Sequence, residues 1–365
     1  MAGSASSLLL DMLGISLPLI QAPMAGVSTP ALAAEVSNAG GLGSIGVGAM
    51  TPDLAAAAIS AFRARSSGPL NVNVFCHRPA GNPPEAEAAS WIEALRPAFE
   101  EMGATPPTGL QEVYKSFVED CDMLQTLIDA RPEIVSFHFG LPNEADIRAL
   151  REAGCVLMAT ATSLDEARAL VRGGVQVVVA QGIEAGGHRG LFNPDGPDRE
   201  LSTFTLTREL VRDLDVPVVA AGGIMDGAGI GAVLRLGAAA AQLGTAFIGC
   251  PESSADPHYR ALLQGQAAYH TSMTRVISGR PARCLQNRFT EFEHLHAGIP
   301  APAYPFAYSL AKDLIAAAKA RGEHGYGAYW AGQGAPLARA LPAGELVRSL
   351  IQELGPACFI ASALF

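Results

Sequence analysis

The sequence predicts an α/β fold, a (β/α)8 TIM barrel with a smaller helical second domain or lid inserted after strand eight. Three observations predict it. Short β-rich runs alternate with alanine-rich helical segments, eight times within the first 250 residues. Most of the β-rich runs are continuously apolar, as parallel strands covered on both faces are. Glycine turns follow several of them. An open doubly wound sheet is the structural alternative.

The expected strands cover residues 17–21, 43–46, 70–75, 134–139, 155–160, 175–180, 216–220 and 239–243. The expected barrel helices cover residues 29–38, 53–65, 144–153, 163–172, 207–213 and 227–236. Ser163 with Glu166 predicts a capping box at the start of one helix. Gly154 and Gly237 stand just past the ends of two others.

Two stretches exceed a minimal barrel. Residues 76–132 form a long excursion with expected helices at 85–102 and 109–130. Residues 251–334 follow the eighth strand and include an expected helix from Pro305 to about Arg321. We therefore expect a barrel of residues 1–250 and 335–365, closed by a helix at 336–354, and a small helical substrate-covering domain at 251–334.

Composition excludes several classes of protein. Of 365 residues, 49% are hydrophobic and 16% charged, which excludes overall disorder. The net charge of −10 argues against nucleic acid as a partner. The six cysteines show no metal-ligand spacing, so we expect no metal site and reduced thiols in a cytoplasmic protein. The N-terminus lacks a signal-peptide pattern and no apolar run is long enough to span a bilayer, so no membrane association is expected.

Glycines stand at the ends of the last two expected strands. Gly222-Gly223 follow the seventh, and Gly244-Thr245 follow the eighth. Backbone N–H groups in such turns can approach a phosphate closely, and these two loops are the usual phosphate site of this fold. Tight βα turns without a ligand are the plain alternative.

Two neutral amides end other strands. Asn73 and Gln181 would project towards the barrel mouth, where an amide suits the edge of a flavin ring. A satisfied buried amide is an equal explanation for Asn73.

Histidines are the best candidates for proton transfer. His188 lies in a glycine-rich loop after strand six, which favours a base or an anion contact over an exposed loop residue. His138 ends strand four and fits either a hydrogen-bonded core residue or a substrate contact.

Phenols and an amine mark the lid helix. Tyr304 precedes Pro305, which suits the first helical position, and Tyr308 and Lys312 are four residues apart on one face. Together they could bind an anion or carboxylate. From spacing alone, a solvated amphipathic face is the commoner reading.

Seven segments resemble one family in their order along the chain. They are QAPMAG (21–26), SNAGGLGSIG (37–46), NVNVF (71–75), TATSLDEA (160–167), AQGIEAGGHRG (180–190), AAGGIMDG (220–227) and QLGTAF (242–247). This series resembles the nitronate monooxygenases, formerly 2-nitropropane dioxygenases. The AGGHRG version is similar to the class I branch, whose members act on propionate 3-nitronate.

The resemblance implies an FMN enzyme that oxidises propionate 3-nitronate and other alkyl nitronates with O2 to aldehyde, nitrite and nitrate, as a detoxification. Its partners would be the small anionic nitronate and O2, and the protein a monomer or homodimer. By motif, FMN would be held by Pro23, Met24, Asn73, Gln181, Gly186, Gly223, Gln242, Leu243, Gly244 and Thr245. His188 would be catalytic, and Tyr114, His138, Tyr304, Tyr308 and Lys312 would bind substrate.

Three other functions stay open at this point. The nearest is an NAD(P)H:quinone or enoyl-thioester reductase on the same flavin barrel. A non-catalytic FMN-binding module would need no candidate base. A flavin-free aldolase or isomerase could use the phosphate loops for a sugar phosphate.

Overall fold

A computed structural model of the protein describes residues 2–296 and 298–355, so Cys358 and the last residues of the expected barrel segment lie outside it. Eight parallel strands form one sheet. They are β1 (Leu19–Gln21), β2 (Gly43–Gly46), β3 (Leu70–Phe75), β4 (Ile134–His138), β5 (Val156–Ala161), β6 (Val177–Gln181), β8 (Val218–Ala221) and β9 (Ala240–Leu243). A two-residue strand, β7 (Gly187–His188), interrupts this series, so the seventh and eighth barrel strands are β8 and β9.

The sheet closes on itself. Its strand order is β1-β9-β8-β6-β5-β4-β3-β2. The two ends meet through Leu42, whose N–H donates to Leu19 O at 3.0 Å and whose carbonyl accepts from Gln21 N at 2.9 Å. The (β/α)8 prediction is confirmed, and the open sheet is excluded. The ends of each expected strand lie within two residues of the ends of an observed strand, because the continuous apolar runs are long enough to define the extent of the strands.

Helices cover the outside of the barrel. They are α2 (Pro30–Asn38), α3 (Pro52–Arg63), α5 (Cys121–Ala130), α6 (Glu144–Glu152), α7 (Leu164–Arg172), α8 (Thr203–Asp213), α9 (Gly227–Arg235) and α14 (Ala343–Leu354). Most begin at a side chain that accepts a first-turn N–H, such as Thr29 before α2 and Ser202 before α8. Gly154 and Gly237 follow α6 and α9 with φ of 95° and 99°, as expected.

The predicted capping box at α7 forms only in part. Ser163 Oγ accepts from Glu166 N, but the Glu166 carboxylate turns one residue back and accepts from Thr162 N and Oγ, each at 2.7 Å. Its second oxygen accepts from Phe192 N at 2.9 Å. Glu166 therefore ties the helix start to the loop that follows His188.

An N-terminal helix that the sequence analysis did not predict closes the amino end of the barrel. This helix is α1 (Ala2–Leu13). Leu9 and Leu13 are buried against strand residues such as Met158 and Val219. Because α1 covers that end, the carboxyl end of the barrel is the one left for a ligand.

The segment after β9 is mixed rather than purely helical. It contains α10 (Thr245–Ile248), α11 (Pro257–Gln264), β10 (Thr271–Thr274), β11 (Ala282–Leu285), α12 (Arg288–Leu295) and α13 (Phe306–Ala320). β10 pairs antiparallel with β11, and β11 pairs with β7, with Ala282 opposite His188. The strand that carries His188 therefore belongs to the sheet of the small domain.

The excursion after β3 also packs against this segment. Its helix α4 (Glu85–Glu101) buries Trp91 and Phe99 in one apolar cluster with Phe289 and Leu314. The expected division of the chain placed α4 with the barrel, whereas its apolar side chains contact the small domain.

Two expected helices are shorter than predicted. The prediction of α-helix over 109–120 is wrong, because α5 begins only after Asp120, its N-cap, which accepts from Met123 N at 3.3 Å, and this stretch contains no more than a short 3-10 helix at Phe117–Glu119. Ser116 Oγ holds the preceding loop by donating to His77 O at 2.6 Å. The closing helix begins at Ala343 rather than at 336, because Pro342 disfavours helical geometry in the residue before it. Within the described ranges, no helix is both long and apolar enough to cross a membrane.

Candidate active site

A cavity of about 470 Å³ opens at the carboxyl ends of the barrel strands. The residues that line it come from both the barrel loops and the small domain. Of the sequence-predicted site residues, the following line it: Pro23, Met24, Asn73, Tyr114, His138, Gln181, Gly186, His188, Gly223, Gln242, Gly244, Thr245, Tyr304, Tyr308 and Lys312. The structure thus brings together all of them except Leu243.

Leu243 points away from the cavity. Its side chain is buried in an apolar cluster with Ile230 of α9 and Leu350 of α14. Only its backbone reaches towards the site, where the carbonyl accepts from Ala22 N at 2.8 Å. A role for Leu243 in ligand binding is therefore limited to holding the Pro23-Met24 loop.

Backbone forms one wall of the cavity. Gly222 and Gly223 follow β8 with φ of 121° and 70°, a region that side chains rarely adopt. A Cβ on Gly222 would lie 2.7 Å from Thr203 Oγ1. A Cβ on Gly186 would lie 2.5 Å from Gly332 N. These glycines let three chain segments meet closely and leave a cavity wall without protruding side chains. Such a wall suits a flat or anionic ligand.

The two amides, Asn73 within β3 and Gln181 at the end of β6, differ in which hydrogen-bonding atoms they leave free. Asn73 uses its Nδ2 for both hydrogen bonds, to Ser136 O at 3.0 Å and Ser136 Oγ at 2.9 Å. Its Oδ1 accepts none of the hydrogen bonds found in residues 2–296 and 298–355. Gln181 instead uses both ends on the His188 loop, donating to His188 O at 2.9 Å and accepting from Gly190 N at 2.8 Å. Gln181 therefore positions the loop in addition to lining the cavity.

His188 is held from three sides. Its backbone carbonyl accepts from Gln181 and from His138 Nε2, the latter at 3.2 Å. Its own Nε2 lies 2.8 Å from Ser278 Oγ. Desolvation, followed by the nearby His138 and Arg280, lowers the pKa of His188 from 6.5 to about 3. The imidazole is therefore neutral at physiological pH, and one of its two ring nitrogens carries a lone pair.

His138 is both a hydrogen-bonded strand residue and a cavity residue. Because a carbonyl can only accept, its Nε2 must carry the proton that it shares with His188 O. Burial lowers the pKa of His138 from 6.5 to about 4, so this ring is also neutral.

Another wall of the cavity is aromatic. The ring of Tyr304 lies 5.7 Å from that of His188, and the ring of Tyr308 lies 6.4 Å from it. Tyr114 reaches both phenols from the loop before α5, at ring distances of 6.2 and 5.5 Å. Burial raises the pKa of Tyr304 well above its usual value, so this phenol stays protonated and can donate. α13 begins at Phe306, with Pro305 as its N-cap residue rather than its first helical residue.

Lys312 lies at the solvent-exposed edge of the cavity. It is exposed, yet it lines the cavity, and its Nζ donates to Tyr114 OH at 3.4 Å. The same ammonium lies 5.0 Å from the centre of the Tyr114 ring. An anion that enters the cavity therefore meets a lysine and several phenol donors.

Sequence reasoning missed four contributors to this site: Phe139, Ser278, Arg280 and Trp330. Phe139 has φ of 75°, which is rare for a bulky residue and common near functional sites. The Arg280 guanidinium lies 4.1 Å from the centre of the Phe139 ring. The signal that could have found Ser278 and Arg280 is the polar run 271–288, which is unusual beside so many apolar segments.

Comparison with known proteins assigns this arrangement to a family. The model of the family described as nitronate monooxygenase matches residues 6–353. The chain belongs to the nitronate monooxygenase family. It is therefore an oxidoreductase of the monooxygenase type, as the seven sequence segments predicted.

Individual proteins that are similar to this chain support the family assignment. The chain is 57% identical to a nitronate monooxygenase of Paraburkholderia phytofirmans, over 95% of this chain and 94% of the relative. It is 52% identical to one of Pseudomonas aeruginosa, over 94% and 97%. A solved structure of a nitroalkane oxidase from Streptomyces ansochromogenes superposes with a TM-score of 0.88 at 39% identity, covering 97% of this chain and 99% of that one.

Nitronate monooxygenase family membership implies a flavin cofactor, and the residues present fit one. The cavity volume lies within the range of roughly 300–1,000 Å³ that is usual for ligand sites. The glycine turn after β8 presents backbone to the cavity, and Asn73 keeps an amide oxygen free for a ring N–H.

Proposed function

We propose that the protein is an FMN enzyme that oxidises propionate 3-nitronate and other alkyl nitronates with O2 to the aldehyde, nitrite and nitrate, and so removes a toxic metabolite. One observation carries the proposal. A neutral, firmly positioned imidazole, His188, lies beside buried phenols and lines the same cavity as a lysine.

The assignment of FMN rests on the loops after β8 and β9. Gly223, Gly244 and Thr245 all line the cavity and would hold a phosphate through their N–H groups. Pro23-Met24, Gly186 and Gln242 would contact the ring system, with Asn73 and Gln181 at its edge. When bound, FMN would accept electrons from the substrate.

Substrate recognition would use both walls. The carboxylate of propionate 3-nitronate would accept from Lys312 and from the phenols of Tyr114, Tyr304 and Tyr308. The nitronate end would lie beside His188 and His138. A net charge of −10 makes this local supply of donors necessary for an anionic substrate.

His188 would handle the proton. A nitronate has already lost its α-proton, whereas a neutral nitroalkane must first transfer it to a base. The neutral imidazole next to the phenols is the group placed for that transfer.

The test is O2 consumption by the purified yellow protein with propionate 3-nitronate, compared with NADH. Rapid O2 uptake with the nitronate and slow anaerobic bleaching of the flavin by NADH support the proposal. Rapid bleaching by NADH without nitronate turnover would identify a quinone or enoyl-thioester reductase instead. A colourless protein that retains no FMN would point to a flavin-free aldolase or isomerase.

A second measurement concerns His188 alone. His188→Asn should retain FMN but lose most turnover of a neutral nitroalkane. A matched control is His270→Asn, which replaces an exposed histidine outside the cavity. Unchanged nitroalkane turnover by His188→Asn would remove His188 from the proton transfer.

A further inference from the structure

A three-residue turn of the small domain, Ser278-Gly279-Arg280, touches three separate parts of the site. Ser278, which is 1% exposed, reaches His188 Nε2. Gly279 has φ of 88°, and a Cβ there would lie 2.6 Å from Tyr304 N. Arg280 covers the Phe139 ring. The turn therefore connects the small domain to both walls of the cavity.

The hydrogen bonds of Ser278 decide which nitrogen of His188 carries the proton. Ser278 Oγ donates to Arg280 O at 3.3 Å and accepts from Arg280 N at 3.3 Å. A hydroxyl has one hydrogen, and the Arg280 carbonyl can only accept. With that hydrogen directed to Arg280 O, the 2.8 Å contact is made by His188 Nε2, which donates its own hydrogen to Ser278 Oγ.

The other ring nitrogen is then the basic one. In a neutral imidazole with hydrogen on Nε2, Nδ1 holds the lone pair. Across residues 2–296 and 298–355, no hydrogen bond to His188 Nδ1 is found. Since Nε2 is bound to Ser278 and the ring lines the cavity, Nδ1 is the atom left for a ligand.

We propose that Ser278 is a positioning residue that holds His188 in the Nε2–H tautomer, so that Nδ1 is the atom that removes the α-proton of a nitroalkane. The inference rests on the proposed function and names the working atom of its base. The α C–H bond breaks, its electron pair moves into the nitro group to form the nitronate, and the proton moves to Nδ1. The imidazolium keeps its Nε2–H on Ser278.

This role predicts a difference between two substrates. In Ser278→Ala, the freed imidazole can place its hydrogen on Nδ1, which makes that atom a donor instead of a base. We expect kcat/KM for a neutral nitroalkane to fall at least about ten-fold, because general-base catalysis contributes roughly 10²–10⁴-fold. The kcat/KM for its preformed nitronate should change less than about three-fold, because no proton is removed. Ser278→Thr, which keeps a hydroxyl, should restore most of the lost rate.

The decisive readout is the tautomer itself. Nitrogen NMR of the holoenzyme with 15N-labelled histidine distinguishes a protonated from an unprotonated ring nitrogen, and the His188 signals are those missing in His188→Asn. In the wild type, Nε2 should be the protonated nitrogen, and in Ser278→Ala the Nδ1–H form should appear. Ser253→Ala, which removes another buried hydroxyl bonded to Ile248 O, is the control for a merely structural effect.

Two results would overturn the inference. One is a wild-type signal in which Nδ1 carries the hydrogen. The other is an equal loss of nitroalkane and nitronate turnover in Ser278→Ala with no change of tautomer. Failure of the proposed function looks different, because His188→Asn would then keep its nitroalkane turnover whatever the tautomer in the wild type.

Discussion

Replacing Lys312 with methionine tests how the cavity recognises its substrate. Methionine keeps the length and apolar stem of lysine but removes the ammonium that donates to Tyr114 OH at 3.4 Å. Because Lys312 is exposed, water screens part of its attraction to a carboxylate. We therefore assign this contact about 1–2 kcal/mol of binding free energy, a value around the lower limit of the range for charged hydrogen bonds. That free energy corresponds to about a 5- to 30-fold rise in KM.

The assay compares two nitronates. We expect the KM for propionate 3-nitronate to rise by that factor in Lys312→Met, with little change in kcat. The KM for ethyl nitronate, which has no carboxylate, should change less than about two-fold. In the wild type, added salt should reduce the preference for propionate 3-nitronate, because Lys312 lies at the solvent boundary.

The control removes an equal charge from the same helix. Lys319 lies two turns further along α13, outside the cavity, and pairs with Asp256 at 2.8 Å. Lys319→Met should leave both KM values unchanged. Equal effects of Lys312→Met on the two nitronates, or an equal effect of Lys319→Met, would refute the assignment of the carboxylate to Lys312.

Three further changes address the cofactor site and the stability of its support. His77 is fully buried, has no hydrogen-bond partner for either ring nitrogen in the described chain, and has a pKa lowered from 6.5 to about 4 by desolvation. Because the unfolded chain binds this proton more tightly, His77 lowers the free energy of unfolding as pH falls from 6.5 towards 4, by about 2 kcal/mol at pH 5. The urea midpoints of His77→Phe at pH 7.5 and pH 5 should therefore differ less than those of the wild type. An equal pH dependence of the urea midpoint in both proteins would contradict this prediction. Gly222→Ala places a Cβ 2.7 Å from Thr203 Oγ1 at φ of 121°, so the purified variant should lose flavin. The measurement is the ratio of flavin to protein absorbance. Full retention of flavin would argue against close packing at Gly222. Asp198→Asn weakens the two hydrogen bonds, at 2.8 and 2.9 Å, that pair this carboxylate with the buried Arg189, and should cost about 3 kcal/mol of unfolding free energy; an unshifted melting temperature would show that the pair is dispensable.

Much of the fold was predictable because it depends on local patterns. The apolar run that fills all but the last residue of β6 and the glycines after β8 each identify their element without help from distant residues. The loop before α5 was not predictable in this way. Its sequence is compatible with helix, and the hydrogen bond from Ser116 to His77 O, made across 39 residues, holds it in another conformation.

The candidate site divides in a similar way. His188 could be found from its glycine-rich loop after the sixth strand and Asn73 from its place on the third strand, because the barrel collects such side chains at one mouth. Gln181 was also expected there, but its hydrogen bonds to the loop at 188–190 became visible only with the loop folded back on it. The polar run 271–288 was the only signal for Ser278, and it was too weak to single out this residue, because a serine in a polar run is ordinary until its partner is known.

The amino-acid order by itself determined the barrel, the end of it that binds ligands, and the residue types available there, since apolar periodicity and glycine placement act over a few neighbouring residues. Only the tertiary structure decided that Ser278 meets an imidazole 90 residues away and that Lys312 meets a phenol 198 residues away. Such contacts form when the small domain packs over the barrel mouth, and their hydrogen-bond geometry depends on that packing rather than on any short stretch of chain.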